Sequence, residues 1–507
     1  MSARRPNIVL IMADQMRHDC LGVDNPAIRT PHLDRLAASG TLFSRAYPPT
    51  PVCLPCRAAL LSGQYCSTNG APHNMSRLPE DHDPSLGRLF SEAGYYTHFI
   101  GKSHLASCHD PCSPESFPHI ANYDHFDRWH GPWYGFQRAD LAIGHSNENH
   151  ARGMHYGAWL RRHGVDLERH FGRGEYTDYG AWDLPEELQN AHWTAQMAVE
   201  GMDRAADRPF FLFLNFQDPH NPCMVSEPWA SMYDPQAIPR FGYKPGEPNC
   251  YADKPPFYRG LIDQPGAYAA RGIAPGLNGA GNVCHLDWDQ DRIQGNAACY
   301  YGQVSLMDQA IGTVLDALDE RGLGDDTLVL FTADHGDLLG DHGMWFKSLV
   351  CYEESIRVPM IASWPGRIPA GRRCAAFQSL VDYLPSLCSC AGLPIPYQAE
   401  GVDQRAVWEG EADLARADVV VEERPEDGDW NQRILIDDGH KCVFYASHPE
   451  NGELYDMRAD PDHIVNLWRD PVMQEVRNRM IARILTHEMN KAAPRPGWSE
   501  TFATCAP

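Results

Sequence analysis

The stretch Pro51–Gly63 reads Pro-Val-Cys-Leu-Pro-Cys-Arg-Ala-Ala-Leu-Leu-Ser-Gly and holds the most reactive arrangement in the chain. A thiol, Cys53, precedes a helix-starting proline, Pro55, and Arg57 follows the thiol by four residues. If the turn is helical from Cys53 onward, positions i and i+4 share a face and the guanidinium lies beside the sulfur. An open helix N-terminus adds peptide N–H groups and positive potential. Together these make a small anion site with a reactive side chain inside it. The same residues also spell a C-x-x-C pair, Cys53/Cys56, which alone reads as a thiol redox centre.

Four further polar clusters each follow a run patterned as a buried strand. Asp14-Gln15 follows Asn7–Met12, and Lys102 with His104 follows Tyr95–Ile100. His220 follows Phe210–Phe216, and Asp334-His335 follows Thr327–Thr332. Asn7–Met12 is a continuous apolar run, the mark of a strand covered on both faces, and the other three runs also read as buried strands. In open α/β sheets ligands bind outside the carboxyl ends of the strands, so four strands delivering ionisable groups to one edge imply a shared site. Asp14 and Asp334 offer carboxylate oxygens, Gln15 an amide oxygen and His335 an imidazole nitrogen. That donor set suits one divalent cation, calcium foremost, with magnesium or manganese as alternatives. Cysteine pairs at zinc-ribbon spacing are absent from the sequence.

The elements that must carry these groups alternate. Helices are expected from Pro31 to Gly40, from Asp83-Pro84 to Gly94, and over Glu186–Ala206, Ala298–Arg321 and Val381–Ala391. A further strand is expected over Val358–Trp364. This alternation predicts an α/β fold with a mostly parallel central sheet and helices on both faces. It spans residues 1–400, with loop-rich insertions over about 105–185 and 221–296. Most histidines of the first insertion read as surface or capping residues, with a few left as candidates to contact the leaving group. Residues 401–507 change texture: short strands separated by turn residues, then a helix over Pro471–Lys491. They predict a small α+β subdomain with an antiparallel sheet and an aperiodic tail from Pro494.

The chain has 507 residues and a net charge of −24, without the basic stripe that a nucleic-acid surface needs. No stretch approaches the length of a membrane-spanning helix. The start lacks a small-residue cleavage site, so no signal peptide is read there and a cytoplasmic protein with reduced cysteines is expected. An acidic protein acting on an anionic substrate needs a locally positive pocket, which gives basic residues inside motifs added meaning.

The segments Asn7–Gln15, Cys53–Gly63, Gly101–Leu105, Asp218–Pro222, Thr332–Gly336 and Trp345–Arg357 together resemble the type I sulfatases. They also resemble their relatives the phosphonate monoester hydrolases, all within the alkaline-phosphatase-like superfamily. The resemblance covers most of the chain. It implies that Cys53 is oxidised to formylglycine by a maturation enzyme. It implies that Asp14, Gln15, Asp334, His335 and the hydrated residue 53 bind the cation, and that Arg57 braces residue 53. Lys102 and Lys347 would hold sulfate oxygens, and His104 and His220 would handle protons. The implied reaction is hydrolysis of a small anionic sulfate ester through a sulfated hemiacetal. Asn74 is a candidate pocket residue, and a homo-oligomer is expected. The chain departs from the commoner family pattern at Gln15, often a second aspartate, at His335, often asparagine, and at Cys56, often serine. The rival within the same site is phosphonate monoester or phosphodiester hydrolysis, with promiscuity toward both compatible with the residues. The Lys102/His104 pair matches the sulfatase form. A redox pair at Cys53/Cys56 leaves Asp14, Asp334, His335 and Lys347 without a role, and a binding module would not need the thiol.

Overall fold

A computed structural model describes residues 5–172, 177–243, 253–258, 284–285, 289–347, 349–425 and 430–491. The expected tail from Pro494 and much of the second insertion lie outside these residues. Among the described residues the core is a sheet of nine strands. Five consecutive strands reaching one edge, in order Thr327–Ala333, Asn7–Ala13, Phe210–Asn215, Tyr96–Lys102 and Arg138–Ala142, all run parallel. Val358–Ser363 is antiparallel to Thr327–Ala333 and to Thr41–Tyr47 beyond it. Arg372–Cys374 and Gln378–Ser379 pair with Thr41–Tyr47 at the far edge. Every residue of Asn7–Ala13, Thr327–Ala333 and Phe210–Asn215 is buried, as their unbroken apolar runs require.

Register explains why the polar clusters meet. Ala13 pairs with Ala333, and Met12 with both Thr332 and Asn215. Asn215 in turn lies opposite Gly101, and Lys102 opposite Ala142. The strands therefore end level, and the residues that follow each of them emerge at one edge. The peptide N–H of Asp334 donates to Ala13 O at 3.1 Å, and that of Asp14 to Asp218 O at 3.1 Å, tying the strand ends together.

Gly101 is required at this edge. Its φ is +90°, and a Cβ there would lie 2.0 Å from Asn215 O. Gly101→Ala is expected to destabilise the fold by about 3 kcal/mol or more, since both strain and a backbone clash must be relieved. The denaturant midpoint at unchanged m-value measures it.

Several expectations need correction. The stretch 105–185 is not loop throughout: Arg138–Ala142 is the edge strand of the central sheet, and Met154–Arg162 is a helix packed against it. The strand hid because it carries Arg138 and Asp140. Asp140 is nonetheless buried, with its carboxylate held by Arg138, His98 and His130. Thr41–Tyr47, which the sequence pattern passed over, is a strand whose Ser44 and Arg45 are less buried than the rest. The long helix starts at Gln290 rather than Ala298. Gly295 reads as a breaker, but it makes room for Tyr179, whose ring would lie 2.7 Å from a Cβ.

The C-terminal residues form a four-stranded antiparallel sheet, Val419–Glu423, Gln432–Ile436, His440–Tyr445 and Glu453–Asp456. The helix Gln474–Lys491 covers it through Met480 and Ile484. This sheet supports the site: the Glu423 carboxylate accepts the N–H of Leu349 at 2.6 Å, just after Lys347. Among the described residues no helix is long and apolar enough to cross a membrane.

Candidate active site

The helix Cys53–Ser62 begins at the thiol itself. Its first turn is capped in part by Asn74, whose side-chain oxygen accepts the N–H of Leu54 at 3.1 Å. Asn74 thus serves the helix start next to Cys53. Around the sulfur, His335 Nε2 lies at 3.0 Å and Asp14 Oδ1 at 3.7 Å. One ligand atom from each of Asp14, Cys53, Asp334 and His335 falls within 4.8 Å of the others, and all four residues are buried.

Arg57 lies on the same helix face, but its guanidinium is directed mainly to the carboxylates rather than to the sulfur. Nε is 3.0 Å and Nη2 2.9 Å from Asp334 Oδ2, and Nη2 is 3.7 Å from Asp14 Oδ2. Nη1 donates to Lys102 O and to Asn215 Oδ1. Burial alone would raise the Cys53 thiol; Lys102 and Lys347 outweigh it, and the thiol lies below its ordinary range. Asp14 behaves likewise: burial opposes its charge, but Lys102, His220, His145 and Arg57 hold its carboxyl well below the usual range.

Gln15 sits beside this cluster. Its N–H donates to Asp334 Oδ1 at 3.0 Å, and its side-chain oxygen accepts from Lys347. Its amide nitrogen donates to Asn221 Oδ1 at 2.9 Å and to Asp337. Gln15 and His104 both have positive φ, 66° and 47°, strain of the kind stored at functional sites. Burial, then Lys102 and Arg57, push the His104 imidazole well below its ordinary pKa, so it stays neutral. Its Nδ1 is buried and has no hydrogen-bond partner among the described residues. His220 Nε2 is 2.8 Å from Lys347 Nζ; burial, His145 and Lys347 hold it neutral as well.

The residues present fit a divalent cation. His335 Nδ1 is 2.9 Å from Gly336 O. A carbonyl accepts, so Nδ1 carries the proton and Nε2 turns its lone pair toward Asp14, Cys53 and Asp334, the tautomer a ligand needs. Burial disfavours a charged His335, yet Asp334 and Cys53 raise its pKa. The surroundings therefore favour positive charge at that spot.

Every sequence-derived candidate thus lies at the carboxyl edge of the sheet or beside it. Sequence reasoning missed Asn215, Asn221, Asp337 and above all His145, 2.7 Å from Lys102 Nζ and stacked on His220 with ring centroids 3.5 Å apart. The usable signal was Ile143-Gly144-His145 directly after a strand, the same position the other clusters occupy. Cys56, like Cys53, is a buried free thiol in this structure. Burial, then Asp334, push Cys56 well above its ordinary range. Cys56→Ala is expected to keep kcat/KM within about threefold of the parent, and a disulfide mechanism predicts loss instead.

The described sulfatase family model matches residues 6–393, and a second, described as N-sulphoglucosamine sulphohydrolase, C-terminal, matches 340–490. The chain belongs to the sulfatase family and is a sulfuric ester hydrolase. It is 28% identical to an arylsulfatase of Clostridium perfringens, over 96% of this chain and 94% of the relative. It is 28% identical to PehA, a multifunctional alkaline phosphatase superfamily protein of Trinickia caryophylli, over 92% of each. The phosphonate monoester hydrolase of Agrobacterium radiobacter shares its fold with a TM-score of 0.77, at 27% identity over 96% of both chains.

Proposed function

We propose that this protein hydrolyses small sulfate monoesters with residue 53 in its formylglycine form and one divalent cation held by Asp14, Asp334, His335 and residue 53. Gln15 completes the surround through its side-chain oxygen. The observation that carries this reading is the convergence of Cys53, two carboxylates and an imidazole within 4.8 Å, beneath two lysines that stabilise negative charge on residue 53. In this form residue 53 supplies a diol whose second hydroxyl releases the product, and the cation, when bound, supplies a Lewis acid beside it. Calcium suits the oxygen-rich donors, while the imidazole keeps manganese and magnesium open.

The protein's own groups do the rest. Lys102 and Lys347 bind the sulfate oxygens and offset the charge that builds on them, the electrostatic contribution that usually dominates such transfers. Arg57, paired with Asp334, keeps the carboxylates in place around residue 53. His220 acts together with Lys347: the ammonium proton that Lys347 shares with His220 Nε2, at 2.8 Å, is the one delivered to the departing alcohol oxygen. His104, kept neutral by burial and by Lys102, takes the proton from residue 53 as sulfate departs. Cys53 is 2% exposed, so the maturation enzyme must act before this segment packs.

Hydrolysis of phosphonate monoesters or phosphodiesters is the second reading, favoured by the phosphonate monoester hydrolase likeness. A phosphodiester monoanion has nearly the shape and charge of a sulfate monoester. The Lys102/His104 pair favours sulfate. Comparing kcat/KM on an aryl sulfate and an aryl phosphonate monoester ranks them, and a higher value for the sulfate is expected. A clear preference for the phosphonate overturns the assignment of the natural reaction.

A further inference from the structure

Two lysines of the site are seated in the same manner. Lys347 Nζ is 2.8 Å from His220 Nε2, and His220 Nδ1 is 2.6 Å from Asn221 O. Because a carbonyl oxygen only accepts, Nδ1 carries the proton and Nε2 presents a lone pair to the ammonium. Lys102 Nζ is 2.7 Å from His145 Nε2. His145 Nδ1 is 3.1 Å from a Glu148 carboxylate oxygen, which also accepts the His145 backbone N–H at 2.9 Å. The same tautomer follows, with Glu148 in the place of the Asn221 carbonyl. The two imidazoles stack with planes 10° apart, so each ring limits the other's rotation.

Glu148 is built to stay ionised. Burial opposes its charge, but His150 and His145 hold it below the usual carboxylate range. His150 reaches it at 3.2 Å from the partly exposed side. His145 Nε2 also lies 3.3 Å from Asp14 Oδ2, but the ammonium is nearer and the Nδ1 proton is given to Glu148, so Nε2 is the acceptor toward Lys102.

We propose that His145, oriented by Glu148, is a positioning residue that aims the Lys102 ammonium at the sulfate. This rests on reading Lys102 as a sulfate-binding group. An ammonium has three donors. Lys102 commits one to Asp14 and one to His145, which leaves one for a substrate oxygen. Asp14 is also a proposed cation ligand, so a neutral acceptor is what holds Lys102 in one place however that carboxylate is shared. Neither His145 nor Glu148 belongs to the segments that carry the sulfatase resemblance; both come from the loop after the edge strand.

The test uses purified protein with converted residue 53 and an aryl sulfate, with the variants Lys102→Met, His145→Leu, His145→Gln and Glu148→Gln. His145→Leu removes the acceptor and should lower kcat/KM by about 30- to 100-fold, whereas His145→Gln, which retains an oxygen acceptor, should stay within about fivefold of the parent. Glu148→Gln, the variant least disturbing to the fold, should cost about tenfold. In the Lys102→Met background both effects should shrink to within about threefold, because residues acting through one group are not additive. The proposal is overturned if His145→Leu stays near parental activity. It is also overturned if the losses multiply with Lys102→Met, or if glutamine is as damaging as leucine. Failure of the underlying reading shows separately, as parental activity in Lys102→Met alone.

Discussion

Cys53→Ser is expected to abolish turnover while permitting one round of transfer to protein. A serine hydroxyl in the same cluster of Lys102, Lys347, Asp14 and His335 can accept the sulfuryl group and release the alcohol. It has no second hydroxyl from which to expel sulfate, so the ester persists. Steady-state kcat should fall by about 10^4-fold or more, the loss typical when a covalent nucleophile is disabled. At most one equivalent of alcohol should appear per site, and intact-mass measurement should find the protein heavier by one sulfuryl group. Cys53→Ala should fall as far without that adduct. A serine variant that turns over at a tenth of the parental rate contradicts the need for a diol at this position.

The second large effect concerns Asp334. Asp334→Asn retains size and hydrogen-bonding capacity but removes one of the two carboxylates in the four-residue cluster. It also removes the anion that Arg57 meets at 2.9 Å. Activity should drop by about 10^3-fold or more as cation binding is lost. The fold itself should lose about 1–3 kcal/mol, because the buried guanidinium keeps its neutral acceptors Lys102 O and Asn215 Oδ1 but only a more distant carboxylate, Asp14 at 3.7 Å. Thermal unfolding separates the two consequences. In the parent, a cation present at 100 times its Kd should add about 2.7 kcal/mol of stability through preferential binding to the folded state. Stripping the cation with a chelator should reverse that gain together with activity. In Asp334→Asn the cation-dependent shift in Tm should vanish. A variant that is still stabilised by calcium, magnesium or manganese to the parental extent places the cation elsewhere.

How much of this could be read from residues alone follows from where the signals lie. Asp14, His220 and Asp334 follow nearly continuous apolar runs, and Lys102 follows one broken only by Thr97 and His98; such runs have few alternatives to a covered strand. Their convergence then follows from parallel pairing, because level registers such as Ala13 with Ala333 and Gly101 with Asn215 leave the strand ends side by side. The strand that delivers His145 carries Arg138 and Asp140, and those charges erased its apolar signature. Only the tertiary partners His98 and His130 make a buried Asp140 tolerable. The long helix was shortened for a related reason, since Gly295 looks like an interruption until Tyr179 is placed against it. The direction of Arg57 was half legible. Helical spacing put it on the face of Cys53, but the carboxylates that capture it come from strands far away in the chain.

The most direct test is the mass of the peptide that contains residue 53, taken from protein whose active sites have been counted by a single-turnover burst. Formylglycine chemistry predicts that the thiol is replaced by an aldehyde, or its hydrate, in a fraction equal to the fraction of active sites. Fully active protein in which Cys53 retains an unmodified thiol contradicts it.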